Sequence, residues 1–494
     1  MNDCVIINQM PSGVPGLDRL LGGGLPEFSF NIIAGATGSR KNTLAHQIMF
    51  AQAAQQRRSL YFTVLGEPAL KMLRYQQQFP FFDVGQIGDT IKFVNLTEDI
   101  AKGDFDRVLK RIVDEVTAFA PSFVFVDSFR SVVQSVRGGT QKLQQFVHQL
   151  AMQMTGWRAT AFLVGEYLLP EAESSPVFTV ADGILWLSQN LHRNAMVRRI
   201  QIFKVRGQEQ VPGWHTFHIS KEGVHVFPRA IVGPVSAGGE ADDSSKEEGR
   251  ISIGTPSMDR LMGGGLPIGY SLLVVGPSGS GKTILATEFL TEGARNGEFG
   301  VVAAFEKRPS QLLSGKLDGL IKAGKVGVIN TRSLDLSMDE TLHNLIEMIE
   351  KKEAKRLVID SLSGFELALA PEFSEDFRGV LYRMMAVLTS MGVAIFLTSE
   401  LEDWYLDLRF SPYGNAFLAD AILMLRYIEI EGDLKRVISV VKVRASAHSK
   451  SMHLFDITDD GIQIGEPLST YRAILTGRPQ DTTGNGSFSA EKIL

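Results

Sequence analysis

The chain has 494 residues, of which 44% are hydrophobic and 21% charged, so it is long enough for two folded domains of ordinary composition. Its formal net charge of −5 excludes a global attraction to nucleic acid or anionic lipid. The single cysteine, Cys4, excludes an internal disulfide framework. The first residues lack a secretion signal, and no apolar run reaches the roughly 18 residues that span a bilayer. We therefore expect a cytoplasmic protein with no membrane partner.

Two segments of the chain repeat one another at a constant offset of 241 residues. Residues 12–54 match residues 253–295, so that Asp18 corresponds to Asp259 and Lys41 to Lys282. Between the copies lies a small, polar and acidic stretch that cannot form a core. The repeat predicts four parts: a first domain at 1–235, a flexible linker at 236–249, a second domain at 250–468 and a mobile tail at 469–494.

Apolar, β-branched runs alternate with helical patterns in both copies. Helical periodicity covers residues 104–119 and 337–351, while apolar strands end at Asp127 in the first copy and Asp360 in the second. This alternation is typical of buried parallel strands joined by crossover helices. The predicted fold class is therefore α/β, with two tandem P-loop NTPase domains, each a mainly parallel sheet flanked by helices.

The second copy carries an intact phosphate-binding loop, GPSGSGKT, between an apolar strand and a helical pattern. Its glycines allow backbone N–H groups to surround a phosphate at the helix N-terminus. Lys282 is predicted to contact the β and γ phosphates, and Thr283 and Asp360 to hold Mg²⁺. The predicted ATP-binding residues are Gly276, Pro277, Ser278, Gly279, Ser280, Gly281, Lys282 and Thr283.

The first copy carries an altered loop, GATGSRKN. Arg40 stands where the loop glycine is expected, so its side chain should crowd the backbone, and Asn42 replaces the hydroxyl beside the metal. Two interpretations stay open: weak ATP binding without hydrolysis, or a structural relic of a former site. Under the first, the residues of the weak site are Gly35, Gly38, Ser39, Lys41, Asn42 and Thr43.

An acid that could activate water is present only in the second copy. Alignment through Pro68 and Pro309 places Glu306 opposite Leu65, with Glu67 displaced by two positions. Glu306 is predicted to orient or deprotonate the nucleophile near the γ-phosphate. The alternative is a solvated loop carboxylate. The sequence thus predicts that ATP turnover resides in the second domain, and that the first lost its loop geometry and its acid.

Over residues 10–465 the chain resembles the KaiC family of tandem RecA-like ATPases. The resemblance rests on GLDRLLGGGLP and SMDRLMGGGLP, the Asp-Ser after each acidic strand, FEKRP, and the KVR strands. It implies a homohexameric double ring with ATP between subunits. Lys442 and Arg444 would then reach the neighbour's γ-phosphate, as would Lys204 and Arg206 in the first ring. A charged edge strand is the alternative for these residues.

The resemblance leaves several functions open. The family's clock protein autophosphorylates on an adjacent Ser-Thr pair, but here Ala416 and Phe417 occupy those positions, which disfavours a Ser/Thr autokinase. We expect an ATPase ring that transmits its nucleotide state to an unknown signalling protein. A RecA-like DNA recombination or repair ATPase and an ATP-dependent assembly scaffold are the alternatives. The net charge makes a DNA partner the less favoured of these.

Overall fold

The structure is a computed structural model. It describes residues 7–64, 69–101, 105–135, 139–192, 195–229, 249–305, 315–330, 337–369, 377–401, 418–430, 432–458, 461–469, 471–472 and 480–481. Contacts divide the chain into two units, Met1–Arg229 and Ala230–Leu494. Residues 236–248 of the expected linker and most of the expected tail lie outside the described residues.

The first unit contains a nine-stranded sheet and a small two-stranded one. The two-stranded sheet pairs β1 with β2, and the large sheet has the order β11-β10-β9-β8-β3-β7-β6-β4-β5. Six neighbouring strands, β8 through β5 in that order, are parallel, and β9, β10 and β11 extend the sheet antiparallel. The strands are β1 Gln9–Met10, β2 Leu25–Pro26, β3 Phe30–Gly35, β4 Ser59–Thr63, β5 Ile91–Asn95, β6 Phe123–Asp127, β7 Thr160–Glu166, β8 Gly183–His192, β9 Ala195–Val205, β10 His215–Ser220 and β11 Gly223–Phe227.

Helices cover both faces of this sheet, because consecutive strand residues point to opposite sides and are apolar on both. Ile32 packs with Phe62 in one core, while Ile33 packs with Tyr61 in the other. Full burial of a side chain of this size contributes about 1.5–3 kcal/mol. The helices are Leu17–Leu21, Lys41–Ala54, Ala69–Gln76, Thr97–Ala101, Phe105–Phe119, Phe129–Ser135, Gly139–Gly156, Leu169–Ser174 and Pro176–Val180, with a 3₁₀ turn at Val84–Gln86.

The second unit repeats this architecture. Its large sheet has the order β16-β15-β17-β18-β14-β19-β20-β21-β22, in which β20, β21 and β22 each pair antiparallel with the strand before them. The strands are β12 Arg250–Ile251, β13 Leu266–Pro267, β14 Ser271–Gly276, β15 Gly300–Ala304, β16 Val326–Asn330, β17 Arg356–Asp360, β18 Ala394–Glu400, β19 Ala421–Ile430, β20 Asp433–Val443, β21 His453–Thr458, β22 Gly461–Pro467, β23 Tyr471–Arg472 and β24 Gln480–Asp481. The helices are Pro256–Leu261, Lys282–Arg295, Gly315–Lys322, Met338–Lys352, Leu362–Ala368 and Phe377–Ser390.

The predicted fold class is confirmed, since both large sheets are mainly parallel and flanked by helices. The strands that end at Asp127 and Asp360 form as expected, as do the helices Phe105–Phe119 and Met338–Lys352. In each unit a central strand, β3 or β14, leads directly into a phosphate loop. Within the described residues, no helix is both long and apolar enough to cross a membrane.

Candidate nucleotide-binding sites

The second phosphate loop is closed by its own lysine. Gly276 ends β14, the helix begins at Lys282, and Gly281 precedes it with φ 102°, a conformation that favours glycine. Lys282 Nζ donates to the carbonyl oxygens of Gly276 and Pro277, each at 2.8 Å. The ammonium group therefore lies inside the turn, next to where the loop and the helix N-terminus would hold a phosphate.

Two oxygen groups lie beside this loop. Thr283 Oγ1 donates to Asp360 Oδ2 at 3.0 Å, and the Thr398 hydroxyl donates to the other carboxylate oxygen. Asp360 is 8% exposed, so its carboxylate is fixed by these contacts and by the end of β17. A hydroxyl and a carboxylate are the ligands Mg²⁺ prefers, and the residues at this position fit that ion.

The lysine of the first loop makes the same carbonyl contacts as that of the second, which corrects the expectation that Arg40 would spoil the loop. Lys41 Nζ donates to the carbonyl oxygens of Gly35 and Ala36 at 3.0 and 2.8 Å, and to Ser39 Oγ at 3.3 Å. Arg40 accommodates the turn at φ 70° and ψ 28°, in the small left-handed region that non-glycine residues can reach. The loop geometry of the first copy is therefore preserved, at the cost of some backbone strain.

Asp127, the counterpart of Asp360 in the first copy, has different hydrogen-bond partners. Asn42 Nδ2 and the Tyr61 hydroxyl both donate to Asp127 Oδ2, each at 2.8 Å. The position of Tyr61 is filled by Val302 in the second copy, which has no polar group. Burial raises the pKa of Asp127 to about 6 and the charge of Glu166 adds to this, whereas the Tyr61 hydrogen bond and the Lys41 charge lower it. One oxygen of this carboxylate therefore accepts hydrogen bonds from two donors.

A cavity of about 660 Å³ opens beside the first loop. It is lined by Ala36, Thr37, Lys41, Asn42, Asp127, Ser128, Arg130, Ser131, Gly165, Glu166, Tyr167 and Leu168. Arg130 forms a bidentate ion pair with Glu171 at 2.6 and 2.8 Å, and Glu166 accepts a hydrogen bond from Thr37 at 3.1 Å. The sequence patterns gave no signal for Arg130 or Glu171, because neither belongs to a loop motif.

The basic pairs lie at the opposite end of the sheet from their own phosphate loops. Lys442 is paired with Ile422 near the start of β19, and Arg444 donates to Asp420 Oδ1 at 3.0 Å. Asp420 in turn accepts from the backbone N–H of Ser271, the first residue of β14. About 16 Å of strand separates Ser271 from the loop that follows β14. Lys442 and Arg444 therefore do not serve the phosphate loop of their own chain.

The first copy repeats this arrangement. Lys204 Nζ donates to the Thr179 carbonyl oxygen at 3.5 Å, and Arg206 forms an ion pair with Asp182 at 3.1 Å. Asp182 accepts from the backbone N–H of Phe30, the first residue of β3. The pair thus lies at the amino end of β3, away from the loop at its carboxyl end.

A histidine is buried beneath the first site. His46, in the phosphate-loop helix, is 0% exposed, and its ring centroid lies 5.0 Å from that of Tyr61. Neither ring nitrogen has a hydrogen-bond partner among the described residues. Burial lowers its pKa from 6.5 to about 4. The neutral imidazole is therefore strongly favoured in the folded state.

The first domain should lose stability as the pH falls from 6.5 towards 4, because the unfolded chain binds a proton at His46 that the folded chain excludes. The full difference is about 3 kcal/mol. Replacing His46 by Thr, the residue at the matching position 287, should remove this loss. The difference in unfolding free energy between variant and wild type isolates His46 from Asp127, whose raised pKa has the opposite pH dependence.

Urea unfolding at pH 7 and pH 5, followed by tryptophan fluorescence, measures this effect. Three of the four tryptophans, Trp157, Trp186 and Trp214, lie in the first unit. Replacing the exposed His148 with Gln is the control and should not alter the pH dependence. Equal pH dependence in wild type and His46→Thr would contradict the assignment.

Several predicted features lie outside the described residues. These are Glu306, with Leu65 and Glu67 of the first copy, and the segment that contains Ala416 and Phe417. The strand pattern places Glu306 at the end of its strand, whereas β15 ends two positions earlier, at Ala304. The role of Glu306 stays a prediction.

The comparisons with known proteins cover nearly the whole chain. A family model described as "ATPase: KaiC" matches residues 10–231 and again residues 251–469. The circadian clock protein KaiC3 of Synechocystis sp. is 27% identical over 495 residues, covering 96% of this chain and 95% of that protein. The circadian clock oscillator protein KaiC of Prochlorococcus marinus is 26% identical over 496 residues, with 97% and 96% covered. Two tandem matches to one model, on two sheets that each carry a phosphate loop, identify the chain as a member of the KaiC family of ATPases.

Proposed function

We propose that this chain is an ATP-binding and ATP-hydrolysing ring protein in which turnover resides mainly in the second domain. The observation that carries the proposal is the contrast at the metal position. In the second copy the Thr283 hydroxyl and the Asp360 carboxylate offer oxygen ligands to Mg²⁺. In the first copy the Asn42 amide and the Tyr61 hydroxyl direct protons at Asp127 instead.

Each residue of the second site would have a separate role in hydrolysis. The loop N–H groups and Lys282 hold the triphosphate in a fixed position, which orients the γ-phosphate for in-line attack. Thr283 and Asp360 would hold Mg²⁺, which supplies charge neutralisation at the phosphate oxygens when bound. Glu306 orients or deprotonates the attacking water. Without an acid at position 65, the first copy lacks this last function.

The position of the basic pair supports an assembly. Lys442 and Arg444 lie at the amino end of the sheet, while the phosphate loop lies at the carboxyl end. They can contact a γ-phosphate only if it belongs to another subunit, which favours a homohexameric ring with ATP at the subunit boundaries. We expect this double ring to be cytoplasmic and to transmit its nucleotide state to a signalling protein. Single-stranded DNA should not alter its turnover.

ATP should promote assembly through the second site more than through the first. Full-length wild type, Lys41→Ala and Lys282→Ala are compared by native mass spectrometry with ATP, with ADP and without nucleotide. We expect Lys282→Ala to lose both ATP-dependent assembly and turnover, and Lys41→Ala to keep both. The reverse pattern would show that the first ring holds the assembly together. Assembly and signalling without turnover in Lys282→Ala would indicate a scaffold.

Hydrolysis by water is expected rather than stable autophosphorylation. Phosphoryl transfer to protein needs an acceptor oxygen in line with the γ-phosphate, and Ala416 and Phe417 carry none. Incubation with γ-labelled ATP and peptide mapping should detect no stoichiometric phosphate at residues 411–420. Stable phosphate on any residue of that segment, Ser411 and Tyr413 included, would restore the autokinase function.

A further inference from the structure

The first site places an amide NH₂ group at its carboxylate where the second places a hydroxyl, whose oxygen can also bind Mg²⁺. Asn42 Nδ2 and the Tyr61 hydroxyl converge on a single carboxylate oxygen, Asp127 Oδ2. A hydrogen bond to a charged group contributes about 1.5–3 kcal/mol, so two of them hold this arrangement firmly. In the second copy the corresponding oxygen, Asp360 Oδ2, accepts only the Thr283 hydroxyl among the described residues.

Mg²⁺ does not fit this arrangement in the first copy. The ion requires oxygen lone pairs, whereas the Asn42 amide directs its NH₂ group at Asp127. Turning the amide over would break that hydrogen bond and place its oxygen against the carboxylate. Tyr61 is fully buried and donates a second hydrogen bond to the same carboxylate oxygen. The side chains of the first site therefore disagree with the metal that the family implies.

Positive charge from the protein is available at the same loop. Arg40 replaces Gly281 and sits directly before the lysine of the loop. Arg198 lies on β9 and pairs with Gln189 of β8. The amide nitrogen of Gln189 is 3.9 Å from the position that a Cβ atom would take at Gly38. Burial lowers the pKa of Arg198, and repulsion from the positive charge of Arg40 lowers it further.

An anion bound at the loop would relieve that repulsion, and guanidinium groups are well suited to phosphate oxygens. The second copy keeps an arginine at the position of Arg198, namely Arg436, whose guanidinium lies 5.7 Å over the Tyr427 ring. Arg40 is thus the cation added to the first loop. The neighbouring cavity of about 660 Å³ leaves room for a ligand, and its volume is within the usual range for small-molecule sites.

We propose that the first phosphate loop binds a nucleoside triphosphate without a divalent cation held by the protein, with Arg40 and Arg198 supplying positive charge in its place. The inference rests on the proposed function, in which the second copy binds ATP together with Mg²⁺. It assigns the first site a holding role, because a triphosphate without a metal or an activating acid is poorly hydrolysed.

Nucleotide and metal counts on the full-length protein test this proposal. Bound ATP is counted by equilibrium dialysis with labelled ATP, in Mg²⁺ and in EDTA, and bound Mn²⁺ by electron paramagnetic resonance. In EDTA the wild type and Lys282→Ala should each retain one ATP per chain, and Lys41→Ala should retain none. In Mn²⁺ the wild type should bind two nucleotides but one protein-held ion.

A second variant keeps the test decisive if Lys41→Ala does not fold. Asn42→Thr combined with Tyr61→Phe copies the second site, with a hydroxyl oxygen beside Asp127 and no phenol proton, so the first site should then gain one Mn²⁺, while Arg40 and Arg198 still hold its ATP in EDTA. Release of all nucleotide from the wild type in EDTA, or two protein-held Mn²⁺ ions, would overturn the inference. Phosphate release in Mg²⁺ reports separately on the proposed function. Retained ATP without any turnover would overturn that function alone.

Discussion

Replacing Glu306 with Gln is expected to lower ATP turnover by about 100-fold or more, while ATP stays bound. The amide keeps the size of the side chain but cannot accept a proton from water. Lys282, which lies within its own loop 2.8 Å from two carbonyl oxygens, is unchanged in this variant and continues to hold the phosphates. Phosphate release and dialysis with labelled ATP measure the two effects separately.

Glu67→Gln provides the matched control for this variant. Glu67 is the nearest acid to the corresponding position of the first copy, but it is displaced by two residues and follows Leu65 and Gly66. Turnover in Glu67→Gln should equal that of the wild type. Unchanged turnover in Glu306→Gln would remove Glu306 from the mechanism. A large loss in Glu67→Gln would place hydrolysis in the first domain as well.

The strands and phosphate loops could be predicted because each rests on a local pattern. β6 is a continuous apolar run that ends in an acid, and so is β17 after its first residue, Arg356, which is typical of strands buried on both faces. The phosphate loop of the second copy combines glycines at fixed positions with a strand before it and a helix after it. Such patterns need no knowledge of distant contacts.

The effect of Arg40 was predicted wrongly because the sequence does not reveal how far a turn can adjust. The second loop holds Gly281 at φ 102°, whereas the first relaxes to φ 70° at Arg40. Tyr61 was missed for a different reason. It is one aromatic residue in an apolar strand, and only the sheet order, which places β4 beside β6, brings its hydroxyl to Asp127.

The placement of the basic pairs likewise depends on topology. The sequence shows Lys442 and Arg444 two positions apart, which alone suggests a shared face. Because β20 runs antiparallel to β19, its end returns to the amino edge of the sheet, and Arg444 binds Asp420 there. The distance between this basic pair and the phosphate loop of the same chain follows from the strand order and not from the spacing of the two residues in the sequence.

The contact between Thr283 and Asp360 yields the second large prediction. Replacing Thr283 with Asn copies the first site into the second, and the amide should donate to Asp360 as Asn42 donates to Asp127. The variant thus replaces a hydroxyl oxygen that can bind Mg²⁺ with an amide N–H group. Since a bound metal ion contributes several kcal/mol to transition-state stabilisation, turnover should fall on the order of 100-fold. Mn²⁺ held by the ATP-loaded protein should decrease in parallel.

Thr283→Ser separates loss of the hydroxyl from a general disturbance of the loop. Serine retains the oxygen that faces Asp360, so turnover and Mn²⁺ binding should stay close to those of the wild type. ATP binding in EDTA is a further test, because binding at the second site should depend less on a divalent ion in Thr283→Asn than in the wild type. Hydrolysis at the wild-type rate in Thr283→Asn would show that the difference between Asn42 and Thr283 does not explain the assignment of turnover to the second domain. The absence of an acid at position 65 would then have to explain it alone.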